Sequence, residues 1–317
     1  MSADKTLSFV VPAFNEAANL PALFAALSEL SGQLAMKTEI VLVDDGSSDD
    51  TAAVAEAWMP RISLRYLALS RNFGKEAGLT AGLENCRGDV AILIDADMQH
   101  PVAVIPEMLR LWQGGAEMVL TVRQDRHQEP LPKRIFTHAF YRLVNFGANL
   151  NVPENAGDFR LLDRKVIDAL LLLPERNRFM KGLYAWVGYR TAIIPYMPSP
   201  RLSGESHFHF WKLLSLGFSG ITAFSAFPLR LISLLGIASA VVSFFFGLSI
   251  IFAHYFEHEV VPGWATIVVA ISFFASAQLI ATGILGEYLA RVYEEVKRRP
   301  TYLVSRDVDG SHLPPRP

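Results

Sequence analysis

The amino-acid sequence predicts an α/β domain built on a doubly wound parallel sheet, followed by an amphipathic interfacial segment and two transmembrane helices. Residues 7–122 alternate apolar, β-branched runs with runs of helical spacing, which is typical of a parallel sheet covered by helices on both faces. Polar side chains follow four consecutive predicted strands of this region. Nearer the C-terminus, residues 231–253 and 264–286 are two runs of 23 residues without a charged side chain, each long enough to cross a bilayer as a helix.

The first domain is expected to hold five strands, each of the first four followed by a helix. The predicted strands are 7–13, 38–45, 62–70, 89–97 and 116–122. The predicted helices are 15–30, 49–58, 75–86 and 102–112. Short apolar strands that alternate with helices indicate βαβ units, and such sheets bind ligands at the carboxyl ends of their strands.

The composition narrows the classes of function. The chain of 317 residues has a formal net charge of −2, so it lacks the overall basic field of a nucleic-acid-binding protein. Its single cysteine, Cys86, excludes an intramolecular disulfide and fits a reducing compartment. The apolar excess lies at 229–286, in the membrane segment instead of the α/β domain.

The ends of the predicted strands gather polar residues at one rim of the sheet. These residues are Asn15, Glu16, Asp44, Asp45, Arg71, Asn72, Lys75, Asp95 and Asp97. Solvated loops are also polar, but they do not usually carry carboxylates at this density. We therefore predict a ligand site along this rim.

Asp95 and Asp97 are the most informative pair in this set. In an extended chain, residues i and i+2 point the same way, so the two carboxylates can converge on one cation. A hard divalent ion, Mg²⁺ or Mn²⁺, suits such a pair and takes further ligands from substrate phosphates. The same pattern recurs at Asp307 and Asp309, in a stretch expected to be a loop, and we assign it no function there.

The type of phosphate ligand is narrowed by two missing motifs. The sequence contains no GxxxxGK[ST] phosphate-binding loop, and no GxGxxG follows its first strand. A nucleotide-sugar is the common donor that remains, since it can bind through its diphosphate and a metal ion.

Four motifs resemble a known family. The segments "VVPAFNE", "VLVDDGSSDDT", "SRNFGKEAGLTAGL" and "DADMQHP" resemble, in order and spacing, the family 2 glycosyltransferases with a GT-A fold. Within them the chain is similar to the polyprenyl-phosphate glycosyltransferases, relatives of dolichyl-phosphate mannose synthase, and above all to the bactoprenol (undecaprenyl-phosphate) glucosyltransferase branch. Further matching blocks at 157–166, 175–189, 201–225 and 284–304 extend the resemblance over residues 7–304.

The resemblance implies roles for the rim residues. The nucleoside would be held by Pro12, Phe14, Glu16 and Asp44. The family often has Tyr where this chain has Phe14, so stacking would survive without the phenolic hydrogen bond.

The resemblance also implies the catalytic groups. Asp95 would lie near the ribose, the sugar or the metal, Asp97 would ligate the metal, and Gln99 would assist nearby. Asp158 would face the sugar at the reacting centre. Its alternative is a structural role, as a helix N-cap or as a partner for Arg160.

The acceptor implied by the resemblance is a lipid phosphate, which needs cations near the membrane. Candidates are Arg123, Arg126, Lys133, Arg134 and Arg201. Their alternative is a solvated basic surface or contact with anionic lipid headgroups. The family usually has "SKY" where this chain has "SHF" at 206–208, so His207 is not included.

The expected reaction is inverting transfer of glucose from UDP-glucose to polyprenyl phosphate. N-acetylglucosamine, galactose, mannose and a 4-amino-arabinose derivative remain open as the sugar. A processive synthase is disfavoured because its "QxxRW" block is absent. A catalytically inactive nucleotide-sugar-binding membrane subunit is the alternative from another class.

The predicted organisation has four parts: the GT-A domain 1–200, the interfacial helix region 201–228, the two transmembrane helices 229–286 and a C-terminal tail 287–317. Lys and Arg flank the membrane segment but are absent from the loop "HYFEHEVVPG" inside it. The positive-inside rule therefore predicts a multi-pass protein of the cytoplasmic membrane with both termini in the cytoplasm. The sequence leaves open whether the chain forms a homo-oligomer and whether a flippase or a downstream transferase is its partner.

Overall fold

The computed structural model describes residues 5–123, 156–176, 178–197, 227–252 and 263–314. Most of the predicted interfacial segment 201–228 lies outside these residues. So do Arg126, Lys133, Arg134 and Arg201 of the predicted acceptor site, while Arg123 is described in its backbone only.

The described residues form eight strands and eight α-helices, with a short 3₁₀ turn at Val102–Val104. The strands are β1 Thr6–Ala13, β2 Lys37–Asp44, β3 Leu64–Leu69, β4 Val90–Leu93, β5 Met118–Arg123, β6 Ala156–Asp163, β7 Thr191–Tyr196 and β8 Val304–Gly310. The helices are α1 Leu20–Gln33, α2 Thr51–Trp58, α3 Lys75–Asn85, α4 Ile105–Gln113, α5 Arg164–Leu171, α6 Met180–Trp186, α7 Phe227–Phe252 and α8 Trp264–Lys297.

All eight strands form one sheet, in the order β7-β5-β6-β4-β1-β2-β3-β8. The four strands β3, β2, β1 and β4 are parallel, as the alternating pattern predicts. The sheet as a whole is mixed, because β6 runs antiparallel between β4 and β5 and β8 runs antiparallel along β3. The reversed direction of β6 puts its first residues beside the carboxyl end of β4, where Arg160 pairs with Leu93.

The central strands are buried on both faces, which explains their near-continuous apolar sequence. Phe9 and Leu42 belong to one core cluster, with α1 and α4, whereas Val10 and Val43 belong to the other, with α3, α5 and α6. Helix α3 approaches β1 so closely that a Cβ atom on Gly82 would lie 2.2 Å from Cγ1 of Val10.

Replacing Gly82 by Ala should therefore destabilise the domain. Overpacking a tight core costs about 1–3 kcal/mol, and the higher helix propensity of Ala returns only about 1 kcal/mol. The measurement is the midpoint of thermal unfolding in detergent, followed by circular dichroism. Gly32→Ala is the matched control, since that helical glycine has nothing within 4 Å of its added Cβ. A Gly82→Ala protein as stable as Gly32→Ala contradicts the close packing.

The C-terminal residues return to the α/β domain. The expected loop around Asp307 and Asp309 is wrong, because these residues lie in β8 at the edge of the sheet. Asp307 pairs with Arg65 at 2.8 Å, and Asp309 pairs with Arg87. Both carboxylates are thus used in structural ion pairs, which agrees with the lack of a functional assignment.

Helices α7 and α8 contain the two candidate membrane spans, Leu231–Ser249 and Thr266–Lys297, which qualify by length and composition. The described apolar side chains of these two helices are largely exposed. The end of α8 reaches the α/β domain, where Arg176 donates to Glu295 from its backbone and to the carbonyl of Arg299 from its side chain. This contact ties the end of α8 to the loop after α5.

Candidate active site

The loops after β1 and β2 are fixed to each other by hydrogen bonds. Asn15 adopts a left-handed φ of 57°, and its side-chain oxygen accepts from the backbone N–H of Ser48 at 2.8 Å. The backbone N–H of Asn15 donates to the hydroxyl of Ser47, also at 2.8 Å. The "PAFNE" turn is therefore well defined, and it leaves Phe14 46% exposed, as a side chain that stacks on a ligand should be.

The two aspartates that end β2 are held by different partners. Buried Asp44 accepts from the hydroxyl of Tyr66 at 2.7 Å and from the backbone of Ser47 at 2.8 Å. Asp45 accepts from the backbone N–H groups of Phe73 and Gly74 at 2.7 and 2.8 Å. Asp45 thus positions the start of α3, whereas the nucleoside contact of Asp44 stays a prediction.

The centre of the site is an ammonium group between two carboxylates. Nζ of Lys75, the first residue of α3, lies 2.7 Å from Asp95 and 2.8 Å from Asp158. Burial raises the pKa of each carboxyl, but the charge of Lys75, together with His100 beside Asp95 and Lys181 near Asp158, outweighs burial and holds both pKa values below the ordinary range. Burial likewise opposes the charge of Lys75, but the two carboxylates outweigh it and raise its pKa. All three groups are therefore ionised at neutral pH.

Asp95 and Asp97 come together with a histidine that was not predicted. Ligand atoms of Asp95, Asp97 and His100 all lie within 4.8 Å of one another. Strand β4 ends at Leu93 and a turn follows at Ala96 and Asp97, so the strand geometry expected for the pair is wrong. The positive φ of 59° at Met98 lies between this pair and His100. Carboxylate oxygens are the donors that Mg²⁺ and Mn²⁺ prefer, so the residues present fit a divalent cation.

His100 is buried and links three parts of the site. Its Nε2 lies 3.2 Å from a carboxylate oxygen of Asp95, and its Nδ1 lies 3.2 Å from the hydroxyl of Tyr196. Its ring stacks on Phe159, with centroids 4.8 Å apart. Since Phe159 follows Asp158 directly, His100 fixes the carboxylates of β4 and β6 relative to each other.

The surroundings of Asp158 are polar and buried. One of its carboxylate oxygens has no hydrogen-bond partner among the described residues. Nearby, the backbone N–H of Met180 donates to Glu76 at 3.2 Å. Burial, followed by the charge of Asp158, raises the pKa of Glu76 from 4.5 to about 7.

Stability should therefore depend on pH through Glu76. Below pH 4.5 the carboxyl is protonated in both the folded and the unfolded chain. Between pH 4.5 and about 7 the unfolded chain loses its proton first, so this group's contribution to stability is lost as the pH rises. Between pH 5 and pH 8, the unfolding free energy of wild type should fall by roughly 1–3 kcal/mol more than that of the Glu76→Gln variant. Unfolding measured at both pH values tests this, with exposed Glu29→Gln as the control. Equal pH dependence of wild type and Glu76→Gln contradicts it.

The structure brings most of the predicted site residues to one rim. Asp95, Asp97 and Asp158 converge, and Gln99 lies beside them, donating its backbone N–H to Asp97 at 3.1 Å. Pro12, Phe14, Glu16 and Asp44 lie at the ends of β1 and β2, next along the same edge.

The structural alternatives for Asp158 are wrong. Asp158 lies inside β6, and the N-cap of α5 is Asp163. Its ion-pair partner is Lys75, while the Arg160 guanidinium donates to the carbonyl of Gly157.

Two residues of the site were missed as functional groups. Lys75 was placed on the rim without a role, and His100 stands in "DADMQHP" only three positions after Asp97. The spacing of His100 from the aspartate pair was the one local signal; nothing local indicates that Lys75 would meet Asp158.

Comparisons with known proteins identify the family of the chain. A family model described as Glycosyl transferase family 2 matches residues 8–171. The chain is 41% identical over 301 residues to the prophage bactoprenol glucosyl transferase homolog of Escherichia coli (strain K12), covering 95% of this chain and 98% of that protein. It is also 41% identical over 306 residues to the bactoprenol glucosyl transferase of Shigella phage SfII, covering 96% and 99%.

A solved structure is similar at a lower level. Glucosyl-3-phosphoglycerate synthase from Mycobacterium tuberculosis, in complex with Mn²⁺, uridine diphosphate and glucosyl-3-phosphoglycerate, gives a TM-score of 0.44 at 20% identity, covering 69% of this chain and 77% of that one. A similarity this low carries no functional argument. The family model spans just over half of the chain and the curated relatives span nearly all of it, so the resemblance predicted from the motifs is confirmed: the chain is a glycosyltransferase and belongs to glycosyl transferase family 2.

Proposed function

We propose that the protein transfers a sugar, first of all glucose from UDP-glucose, to a polyprenyl phosphate such as undecaprenyl phosphate, with inversion at the anomeric carbon. The observation that carries this proposal is the meeting of Asp95, Asp97 and Asp158 at one rim, in a chain 41% identical along nearly its whole length to bactoprenol glucosyl transferases. The product would be a lipid-linked sugar for modification of a cell-envelope glycan.

The proposed reaction requires little proton transfer by the protein. A phosphate oxygen of the acceptor is already anionic, and it forms a bond to the anomeric carbon as the bond from that carbon to the diphosphate oxygen breaks. The nucleoside diphosphate leaves with the electron pair. Asp95 and Asp158 are unsuited to act as bases because their pKa values are low. Holding donor and acceptor in line supplies much of the rate.

The site provides charge for the leaving group. A divalent ion held by Asp97, beside Asp95 and Gln99, would supply positive charge to the diphosphate when bound. Asp158 stays anionic beside Lys75, where it can stabilise positive charge that develops at the anomeric carbon.

The membrane part would present the acceptor. We place α7 and α8 in the cytoplasmic membrane with both termini in the cytoplasm, which follows the Lys and Arg flanks of the spans. The interfacial segment 201–228 would lie along the cytoplasmic face. Cations from the predicted set Arg123, Arg126, Lys133, Arg134 and Arg201 would bind the lipid phosphate.

The test offers each donor separately to the detergent-purified full chain with undecaprenyl phosphate and Mg²⁺ or Mn²⁺. The donors are UDP-glucose, UDP-N-acetylglucosamine, UDP-galactose and GDP-mannose, and mass spectrometry identifies the lipid product. A hexosyl lipid from UDP-glucose, lost with EDTA, is expected. A product from another donor would replace glucose by that sugar, whereas nucleotide binding without any product would favour the inactive binding subunit.

The configuration of the product tests the single displacement. An α-linked donor should give a β-linked lipid, read from the anomeric coupling constant by NMR. An α-linked product would require a covalent intermediate, with a carboxylate such as Asp158 as the nucleophile.

A further inference from the structure

Lys75 fills the position that a bound cation would otherwise take between Asp95 and Asp158. An ammonium group has three N–H donors. Its nitrogen lies 2.7 and 2.9 Å from the two oxygens of Asp95 and 2.8 Å from one oxygen of Asp158, so each donor has a carboxylate partner. One of the two negative charges of the pair is thus offset from within the chain before any ligand binds.

The position of this ammonium is built into the fold. The two residues before Lys75, Phe73 and Gly74, donate their backbone N–H groups to Asp45, which fixes the start of α3. The carboxylates come from two other elements, the turn after β4 and strand β6. Nε2 of His100 lies 3.2 Å from Oδ2 of Asp95, an oxygen that Lys75 also contacts. The Lys75 side chain is 43% exposed, yet its ammonium group is held by two elements at once.

We propose that Lys75 is a positioning residue that acts as the resident cation of the Asp95–Asp158 pair, so that the site binds a divalent metal together with a nucleoside diphosphate and only weakly without it. This inference rests on the proposed function. A metal that enters alone shares Asp95 with an ammonium of the same sign, and this repulsion weakens its binding. The anionic diphosphate offsets the added charge and supplies oxygen ligands, so metal and nucleotide strengthen each other's binding reciprocally.

The experiment measures Mn²⁺ binding to the full chain in detergent, from the electron paramagnetic resonance signal of free Mn²⁺, with no nucleotide and with UDP or GDP. Wild type should bind Mn²⁺ at least about tenfold more tightly with one of the two nucleotides than without. Lys75→Met should bind Mn²⁺ alone about tenfold more tightly than wild type, and the gain from the nucleotide should shrink. Lys75→Arg keeps the charge and should behave as wild type.

Lys165→Met is the charge-matched control. Lys165 lies on α5, at the end of the strands opposite to the site, and its side chain is 72% exposed. This variant should bind Mn²⁺ as wild type does. The proposal is overturned if Lys75→Met binds Mn²⁺ alone no more tightly than Lys165→Met, or if neither nucleotide tightens Mn²⁺ binding to wild type.

Two further measurements, thermal unfolding and the transfer assay, keep the outcome decisive. Thermal unfolding shows whether Lys75→Met is folded, and if it is not, the wild-type comparison with and without nucleotide carries the test. The transfer assay with wild type separates this inference from the proposed function. A chain that makes the lipid product but shows no coupling refutes only the role of Lys75, and a chain that shows coupling without product refutes only the reaction.

Discussion

Replacing Asp158 by Asn is expected to lower the rate of sugar transfer roughly 10²–10³-fold, the range seen when a group that stabilises transition-state charge is removed. Asn keeps the size of the side chain but removes the charge that pairs with Lys75 at 2.8 Å. It also removes the negative charge that we propose lies beside the reacting carbon. Nucleotide affinity should change little, because the predicted nucleoside contacts Pro12, Phe14 and Asp44 come from β1 and β2.

The measurement is kcat and KM for the donor with purified protein, together with the Kd of UDP. Asp168→Asn is the matched control, since Asp168 is 61% exposed on α5 and pairs with Arg164 at 3.6 Å. A uniform loss of donor binding in Asp158→Asn would instead indicate that Asp158 holds the donor in its ground state. Transfer within a few-fold of wild type would remove Asp158 from the reacting centre.

The rim of the sheet could be predicted from sequence because it depends on local patterns. Each apolar strand that ends in a polar loop places its next residues at the same edge, whatever the details of packing. The strand and helix positions for β1 to β4 follow from the same periodicity. The closeness of Asp95 and Asp97 could thus be predicted, although the pair lies in a turn and not in an extended strand.

The positions of Asp158 and Lys75 in the site could not be predicted from local sequence patterns. Asp158 reaches the rim because β6 runs antiparallel beside β4, and strand direction depends on a connection that periodicity does not describe. Only the family resemblance pointed to it. The contact of Lys75 with both carboxylates depends on how α3 packs on the sheet, to which the close approach at Gly82 and the hydrogen bonds of Asp45 contribute.

Strand β8 was missed for a different reason. Its residues are mostly exposed, so it lacks the apolar alternation that identifies a half-buried strand. What holds it is backbone pairing with β3 and ion pairs with Arg65 and Arg87, residues more than two hundred positions earlier. Charged residues on an edge strand also protect the sheet from pairing with other chains.

Replacing Asp97 by Ala is expected to lower sugar transfer at least about 10³-fold, because the charge of the leaving diphosphate would lose its counter-ion. Asp95 already shares Lys75 with Asp158, so the binding of a metal depends most on the carboxylate of Asp97. Mn²⁺ affinity measured in the presence of UDP should fall together with activity.

A matched control separates this effect from general loss of negative charge. Asp50 is exposed at the N-cap of α2 and makes no side-chain capping hydrogen bond, so Asp50→Ala should transfer sugar as wild type does. If Asp97→Ala keeps both Mn²⁺ binding and transfer, the metal is held elsewhere and the aspartate pair serves only to orient Lys75 and His100. If transfer is lost while Mn²⁺ binding is kept, Asp97 acts on the donor and not through a metal. Loss of both, with Asp50→Ala unaffected, is the result that the convergence of Asp95, Asp97 and His100 within 4.8 Å leads us to expect.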